Sequence, residues 1–116
     1  MFMDQAVTLF KALSDKNRFR ILKMLEVKPL CVCEIAFILG LANSTTSKHL
    51  SILKEAELIC EEKENKWVNY HLNRAAESAL VRQIQLLMIQ WANADAVVQS
   101  DRQRLIDADR YQLCNS

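Results

Sequence analysis

The chain contains one glycine, Gly40, and one proline, Pro29, among its 116 residues. Loops that hold phosphate groups, the sharp turns that carry catalytic nucleophiles and folds built from many β-hairpins all need several glycines. This composition therefore disfavours nucleotide-binding enzymes and all-β proteins. The length allows one domain, and a hydrophobic content of 51% with a formal net charge of +1 is typical of a folded globular chain.

The four cysteines must be interpreted together with the expected location of the chain. No apolar run approaches the roughly 18 residues of a membrane-spanning helix, and the first residues lack the features of a secretory signal. We therefore expect a cytoplasmic, reducing location and no membrane partner. In that location the cysteines act as thiols for metal or redox chemistry, or simply as small hydrophobic residues: Cys31, Cys33, Cys60 and Cys114.

Helical periodicity and capping signals predict three helices in the first part of the chain. Asp4 is expected to cap a helix that reaches about residue 13, and Asp15 to open a second helix that ends before Pro29. A third, short helix is predicted at about residues 32–39. Gly40 follows it, at the position where a left-handed C-cap favours glycine.

A fourth helix, which begins at about residue 43, combines an apolar face with an unusual polar one. Thr46, Leu50 and Leu53 keep helical spacing and can face a core. The opposite face carries short hydrogen-bonding side chains and one lysine: Asn43, Ser44, Ser47, Lys48 and Ser51. Two helices joined by a tight glycine-containing turn, the second with such a face, are typical of a helix-turn-helix, here over about residues 32–56.

The residues after this helix alternate with a period of two. Val68, Tyr70 and Leu72 share one face of a strand, and Asn65 lies where a hairpin turn needs a positive φ. The pattern predicts a β-hairpin over about residues 59–72, and a hairpin directly after a recognition helix is a wing. The predicted fold class is therefore mainly α with a small β-hairpin wing, a winged helix-turn-helix.

The C-terminal part, about residues 74–112, is predicted to form helices that mediate dimerisation. Asn73 is expected to cap this region. A broad apolar stripe follows it: Leu80, Ile84, Leu87, Met88, Trp91 and Val98. Because the stripe is wider than one small domain can cover, a two-fold homodimer is the natural arrangement. A dimer would also present two recognition helices to successive major grooves.

Several segments together resemble the ArsR/SmtB family of winged-helix, metal-sensing repressors. They are residues 9–15, 18–22, 30–35, 47–50 and 67–70, and the resemblance extends over about residues 5–95. It implies a homodimer that binds double-stranded operator DNA. In most sensors of the family, it further implies that the DNA is released when a metal ion binds.

The resemblance and the side-chain chemistry indicate a DNA-binding face. Short amides and hydroxyls suit base edges and phosphates, and lysine and arginine suit phosphates. The expected DNA-binding residues are Asn43, Ser44, Thr45, Ser47, Lys48 and His49 on the recognition helix, with Arg18, Lys63 and Lys66 outside it. The alternative is an ordinary solvated helix face.

The distribution of charged residues indicates a basic face near the start of the chain. In the wing, it differs from the pattern that is usual in the family. Residues 11–28 carry six basic and two acidic side chains, a local charge of +4, although the whole chain is nearly neutral. Glu61 and Glu62 stand where wings are often basic. Ala42 replaces the usual serine N-cap of the recognition helix, and Glu57 replaces the usual glycine after it.

Cys31 and Cys33 resemble the cysteine pair of the family's arsenic, antimony, cadmium and lead sensors. Residues two apart on a helix point to nearly opposite sides. We therefore expect chelation to distort the start of the third helix, and we expect the helix N-terminus to lower the thiol pKa. Ala36 occupies the position of the third cysteine of some arsenic sensors, so Cys114 or Cys60 is the candidate third ligand.

The expected inducer is a soft ion, As(III) or Sb(III) first and Cd(II) or Pb(II) second, and no cofactor is required. Residues 73–116 contain no histidine, so the Asp/His site of the family's zinc, nickel and cobalt sensors is not expected. The alternatives are a thiol-redox sensor, although a disulfide between Cys31 and Cys33 would be strained, and a metal-independent regulator. A thiol-rich metal-binding or protein-interaction module without DNA binding is the alternative from another class.

An enzyme is the least expected function. The only two histidines, His49 and His71, are predicted to lie on the recognition helix and the wing. The sequence has no recognisable set of acid, base and nucleophile around them.

Overall fold

The computed structural model describes residues 2–114 and confirms the winged helix-turn-helix fold. The elements of this part of the chain are α1 (Phe2–Leu13), α2 (Lys16–Leu25), β1 (Leu30–Cys31), α3 (Val32–Leu39), α4 (Asn43–Glu55), β2 (Ile59–Glu64), β3 (Trp67–Leu72), α5 (Ala79–Ile89), α6 (Ala96–Asp107) and α7 (Arg110–Cys114).

The first two helices follow the local capping signals only in part. The side chain of Asp15 caps α2 by accepting from the amides of Asn17 and Arg18, at 2.8 and 3.0 Å. The prediction that Asp4 caps α1 is wrong, because α1 begins at Phe2 and Asp4 lies in its first turn. An acidic side chain there still complements the helix dipole.

The turn between α3 and α4 has the geometry that its glycine predicts. Gly40 takes a left-handed conformation with φ of 70°. The amides of Gly40 and Leu41 donate to the carbonyls of Phe37 and Ala36, which is the Schellman pattern of a helix end. Ala42 precedes α4 without a side-chain cap.

The wing is a three-stranded antiparallel sheet in the order β1-β3-β2. Ile59 pairs with Leu72 and Glu64 with Trp67, and Asn65 in the turn has a φ of 55° as predicted. The sequence did not predict β1, which pairs with β3 at Leu30 and Cys31. Two residues are too few to show an alternation of polar and apolar side chains.

The C-terminal region forms three helices, each with its own beginning. The prediction that Asn73 caps it is wrong, because the Asn73 side-chain amide donates to the Glu57 carbonyl at 3.0 Å. Ser78 caps α5 and Asp95 caps α6. α6 packs on α2 through an ion pair in which the partly buried Arg20 guanidinium donates to both oxygens of buried Asp101 at 2.9 Å.

Each of the helices α1 through α6 and each of the three strands contributes residues to the hydrophobic core. Part of the apolar stripe predicted for the C-terminal region lies outside this core. Leu80, Ile84 and Met88 pack against the core. Leu87 on α5 and Trp91 just after it are 65% and 70% exposed. No helix within residues 2–114 is long and apolar enough to span a bilayer.

Candidate functional site

The polar face of α4 is open to solvent. Thr46, Leu50 and Leu53 turn into the core, and the Thr46 hydroxyl donates to the Ala42 carbonyl at 3.0 Å. The predicted contact residues on the other face are exposed: Asn43, Ser44, Thr45, Ser47 and Lys48. The burial of the three anchor residues fixes which way the helix presents this face.

Arg18 and His49 form a support for α4 beneath its polar face. Arg18 donates to the carbonyls of Ala12 and Lys11, at 2.8 and 3.1 Å, and its third contact is His49 Nδ1 at 3.2 Å. Because a guanidinium can only donate, His49 Nδ1 is the acceptor in this contact. Arg18 therefore ties the end of α1 to α4, and both side chains are partly buried.

Asp15, the N-cap residue of α2, lies in surroundings that favour its charged form. Burial alone would raise the pKa of Asp15, but the amide and guanidinium of Arg18 and the amide of Asn17 outweigh burial, so the pKa lies below its usual value. The carboxylate thus stays charged at the start of α2.

The wing carries its two predicted lysines on the surface, and one acidic residue is neutralised. Lys63 and Lys66 are exposed, and the Lys66 ammonium lies 5.1 Å from the centre of the Trp67 ring. Lys54, near the end of α4, forms an ion pair with Glu61. The hydrogen bond from Lys54 lowers the Glu61 pKa. The sequence reasoning missed this pair, which links α4 to the wing.

Cys31 and Cys33 lie on the same side of the chain, contrary to the sequence prediction. Cys31 is the N-cap residue of α3 and has extended backbone, with φ of −88° and ψ of 167°, and Cys33 lies in the first turn. The spacing of residues within a helix therefore does not apply to the pair. The two sulfurs and that of Cys114 all lie within 4.8 Å of one another while α3 stays intact.

The third cysteine comes from the far end of the described chain. Cys114 forms a disulfide with Cys33, with Cα atoms 5.7 Å apart, and its sulfur lies 3.8 Å from that of Cys31. Cys60 lies outside this group, on β2 opposite His71, and is a half-buried free thiol. We call Cys31, Cys33 and Cys114 the cysteine site.

The environment of Cys31 raises its pKa, so the prediction of a lowered pKa is wrong here. Burial has the largest effect because it penalises the thiolate, and the nearby Glu34 side chain adds to it. The Glu34 amide and the Arg110 guanidinium act in the opposite direction but do not overcome burial.

Glu34 and Arg110 hold α7 over the cysteine site, and the sequence reasoning identified neither. Buried Glu34 accepts from the Cys31 amide at 2.9 Å and from Arg110 at 2.8 Å. Arg110 also donates to the Asn69 side chain at 2.8 Å and lies over the Trp67 ring. Part of the signal was visible, because Glu34 follows Cys31 by three residues, which is the spacing of a capping box.

Comparison with known proteins shows which proteins this chain is similar to. Residues 15–60 match the family described as "Bacterial regulatory protein, arsR family". The chain is 38% identical over 68 residues to the arsenical resistance operon repressor of Escherichia coli K12, a match that covers 58% of each protein. It is 36% identical over 87 residues to a cadmium resistance regulatory protein CadC homolog of Staphylococcus aureus, over 70% of this chain and 72% of that one.

A solved structure extends the likeness to the fold. The winged helix-turn-helix domain of a possible ArsR-family regulator from Mycobacterium bovis superimposes with a TM-score of 0.66 at 26% identity. The match covers 79% of this chain and 82% of that domain, which is described as homodimeric. The match to the E. coli repressor, by contrast, spans only about three fifths of that relative's length.

Proposed function

We propose that this chain, which belongs to the arsR family of bacterial regulatory proteins, is a transcriptional repressor that binds double-stranded operator DNA and releases it when a thiol-seeking ion binds the cysteine site. The observation that carries the proposal is the convergence of three sulfur atoms within 4.8 Å beside the helix-turn-helix. The expected location is the cytoplasm, where the DNA is.

The exposed face of α4 supports DNA binding. Its short polar side chains can approach base edges in the major groove, and Lys48 can contact a phosphate. Lys63 and Lys66 on the wing offer further phosphate contacts. Arg18 and His49 serve by fixing the position of α4, since their bonds join this helix to α1.

A homodimer is supported by two exposed apolar surfaces. Phe2 and Phe10 on α1 are 88% and 53% exposed, and Leu86, Leu87 and Trp91 are exposed on or next to α5. Large contiguous apolar patches are rare on monomeric proteins and mark interaction surfaces. A second copy covering both surfaces is our proposed partner. Leu87→Glu should then convert a dimeric sedimentation profile to a monomeric one, whereas an unchanged profile would contradict this interface.

The chemistry of the cysteine site favours a soft ion. Thiolates that share one ion at bond lengths of about 2.3 Å lie about 4 Å apart, and the sulfurs of Cys31 and Cys114 lie 3.8 Å apart here. Three thiolates suit As(III) or Sb(III), and Cd(II) and Pb(II) also prefer sulfur. The names of the E. coli and S. aureus relatives refer to arsenical and cadmium resistance. The ligands are thiolates, so the Cys33–Cys114 disulfide must be reduced before an ion can bind.

That disulfide also supports a second candidate function, a repressor that senses oxidants. Hydrogen peroxide would oxidise the Cys33 and Cys114 thiols to one disulfide and would itself be reduced to two molecules of water. From the sequence, a strained Cys31–Cys33 disulfide counted against a redox sensor. The disulfide in the structure joins Cys33 to Cys114 instead, so that argument does not apply.

An electrophoretic titration of DNA from upstream of the gene separates the two functions. Release by arsenite in the presence of a phosphine reductant supports the ion sensor, and release by peroxide alone supports the redox sensor. Cys31→Ser, Cys33→Ser and Cys114→Ser should each keep DNA binding and lose the arsenite response, because a hydroxyl is a poor ligand for soft ions. Cys60→Ser is the matched control and should respond normally. DNA that is not bound at all would refute the repressor.

A further inference from the structure

We propose that Arg110 is a positioning residue of the cysteine site, which brings Cys114 to the Cys31–Cys33 pair and so turns a two-thiol site into a three-thiol site. This inference rests on the proposed function, since it concerns how the same site binds its ion. The observation that carries it is the set of contacts that one guanidinium makes with α3 and β3 at the start of α7.

The contacts of Arg110 fix the short helix that carries Cys114. One nitrogen of the guanidinium donates to Glu34 and to Asn69, both at 2.8 Å. The cation also lies 5.1 Å from the centre of the Trp67 ring. These partners come from α3 and from β3, so Arg110 holds α7 against two elements at once.

The partners of Arg110 are themselves built around Cys31. Glu34 is buried and also accepts a hydrogen bond from the Cys31 amide. Asn69 is the residue that pairs with Cys31 between β1 and β3. Arg110 therefore does not dock at an arbitrary place on the surface, because both hydrogen-bonding partners are neighbours of the first thiol ligand.

The third thiol depends on this docking more than the other two do. Cys31 and Cys33 are held by β1 and α3, whereas α7 is five residues long and ends at Cys114. A helix this short is not stable alone. Once Arg110 is bound, Cys114 has a high effective concentration at the pair. Without Arg110, closing the site must also order the chain end, which weakens binding of a three-thiol ion.

Two arsenic probes with different numbers of exchangeable positions test this role. Arsenite can bind three thiolates, whereas phenylarsine oxide keeps one carbon ligand and binds two. Calorimetric titration of the reduced full chain should show that Arg110→Gln weakens arsenite binding at least tenfold, equivalent to about 1.4 kcal/mol. Binding of phenylarsine oxide should be unchanged, because Cys31 and Cys33 remain in place. This unchanged binding also reports that the variant is folded.

The matched controls separate positioning from general loss of structure. Arg104→Gln removes an arginine that joins α6 to the other end of α3, through the carbonyls of Ile38 and Phe37, and should bind both probes as the natural chain does. Arg110→Lys keeps the charge but lacks the planar guanidinium that lies over the Trp67 ring, and should restore arsenite binding in part. In a Cys114→Ser background, Arg110→Gln should cause no further loss if it acts through Cys114.

The remaining outcomes distinguish failure of the Arg110 positioning role from failure of the proposed ion sensor. Unchanged arsenite binding by Arg110→Gln would overturn the positioning role, and so would an equal loss of both probes. A loss that persists in the Cys114→Ser background would overturn it as well. If the natural chain binds neither probe, the proposed ion sensor itself is wrong.

Discussion

Glu57 occupies a backbone position that favours glycine, and its replacement should stabilise the protein. The residue follows α4 with a φ of 63°, in the left-handed region. An L-residue with a Cβ atom is disfavoured there by about 1–2 kcal/mol. Glycine removes this strain but loses more conformational freedom on folding, at a cost of about 0.5–1 kcal/mol. Glu57→Gly should therefore raise the free energy of unfolding by about 0.5–1 kcal/mol.

The surroundings of Glu57 make this a test of the backbone alone. Its side chain is exposed, and its structural hydrogen bonds use main-chain atoms: the amide donates to the Lys54 carbonyl, and the carbonyl accepts from the Asn73 side chain, both at 3.0 Å. Glycine keeps both groups.

Urea denaturation at one fixed protein concentration measures the effect, since the stability of a dimer depends on concentration. Glu57→Ala is the control, because it removes the carboxylate but keeps the Cβ atom, and it should change stability by less than about 0.5 kcal/mol. The backbone argument would be refuted by a Glu57→Gly variant that is less stable than the natural chain. An alanine variant that gains as much as the glycine variant would equally refute it.

Three further perturbations test other parts of the molecule. Lys48→Ala should weaken binding to operator and random DNA alike and reduce the salt dependence of the affinity by about one ion, as measured by titrations at several salt concentrations. Asp101→Ala should lower the free energy of unfolding by roughly 2–3 kcal/mol in a denaturant titration, because it leaves Arg20 partly buried without its carboxylate; a change under about 0.5 kcal/mol would contradict this. The Asp15 carboxylate contributes stability above its unfolded-state pKa of about 3.9. Because its pKa in the folded protein is lower, this contribution is lost as the pH falls through the folded-state pKa. Asp15→Asn should therefore flatten the acidic part of a plot of unfolding free energy against pH.

The parts of the fold that the sequence predicted are those with local physical causes. Gly40 ends α3, Asp15 opens α2 and Asn65 closes the hairpin, and each acts through its own backbone or its immediate neighbours. The buried face of α4 follows from a helical repeat of apolar residues. Such signals can be recognised without knowing the rest of the structure.

The cysteine site was only partly predictable because its decisive contacts join distant parts of the chain. Cys33 and Cys114 are 81 residues apart in sequence, and no local pattern reports that α7 returns to α3. The error about Cys31 has a related cause. Its extended conformation comes from pairing with Asn69 in β3, so a partner outside the segment changed which way the sulfur points.

The position of Cys31 also changes how an ion could affect DNA binding. A ligand shifts an equilibrium only through different affinities for the two states, and a tenfold loss of DNA affinity needs about 1.4 kcal/mol of coupling. Because Cys31 precedes α3, the three cysteines can bind one ion without unwinding that helix. The free energy that couples ion binding to DNA release must then come from another part of the structure. The contacts of α7 offer another source, since Arg110 joins the cysteine site to Asn69 and Trp67 in the wing strand. An ion that alters the position of Cys114 would act on β3 through the same side chain. At saturating arsenite, Asn69→Ala should accordingly reduce release of DNA while DNA affinity in the absence of arsenite stays unchanged, and full release by this variant would exclude the Arg110–Asn69 contact as the route.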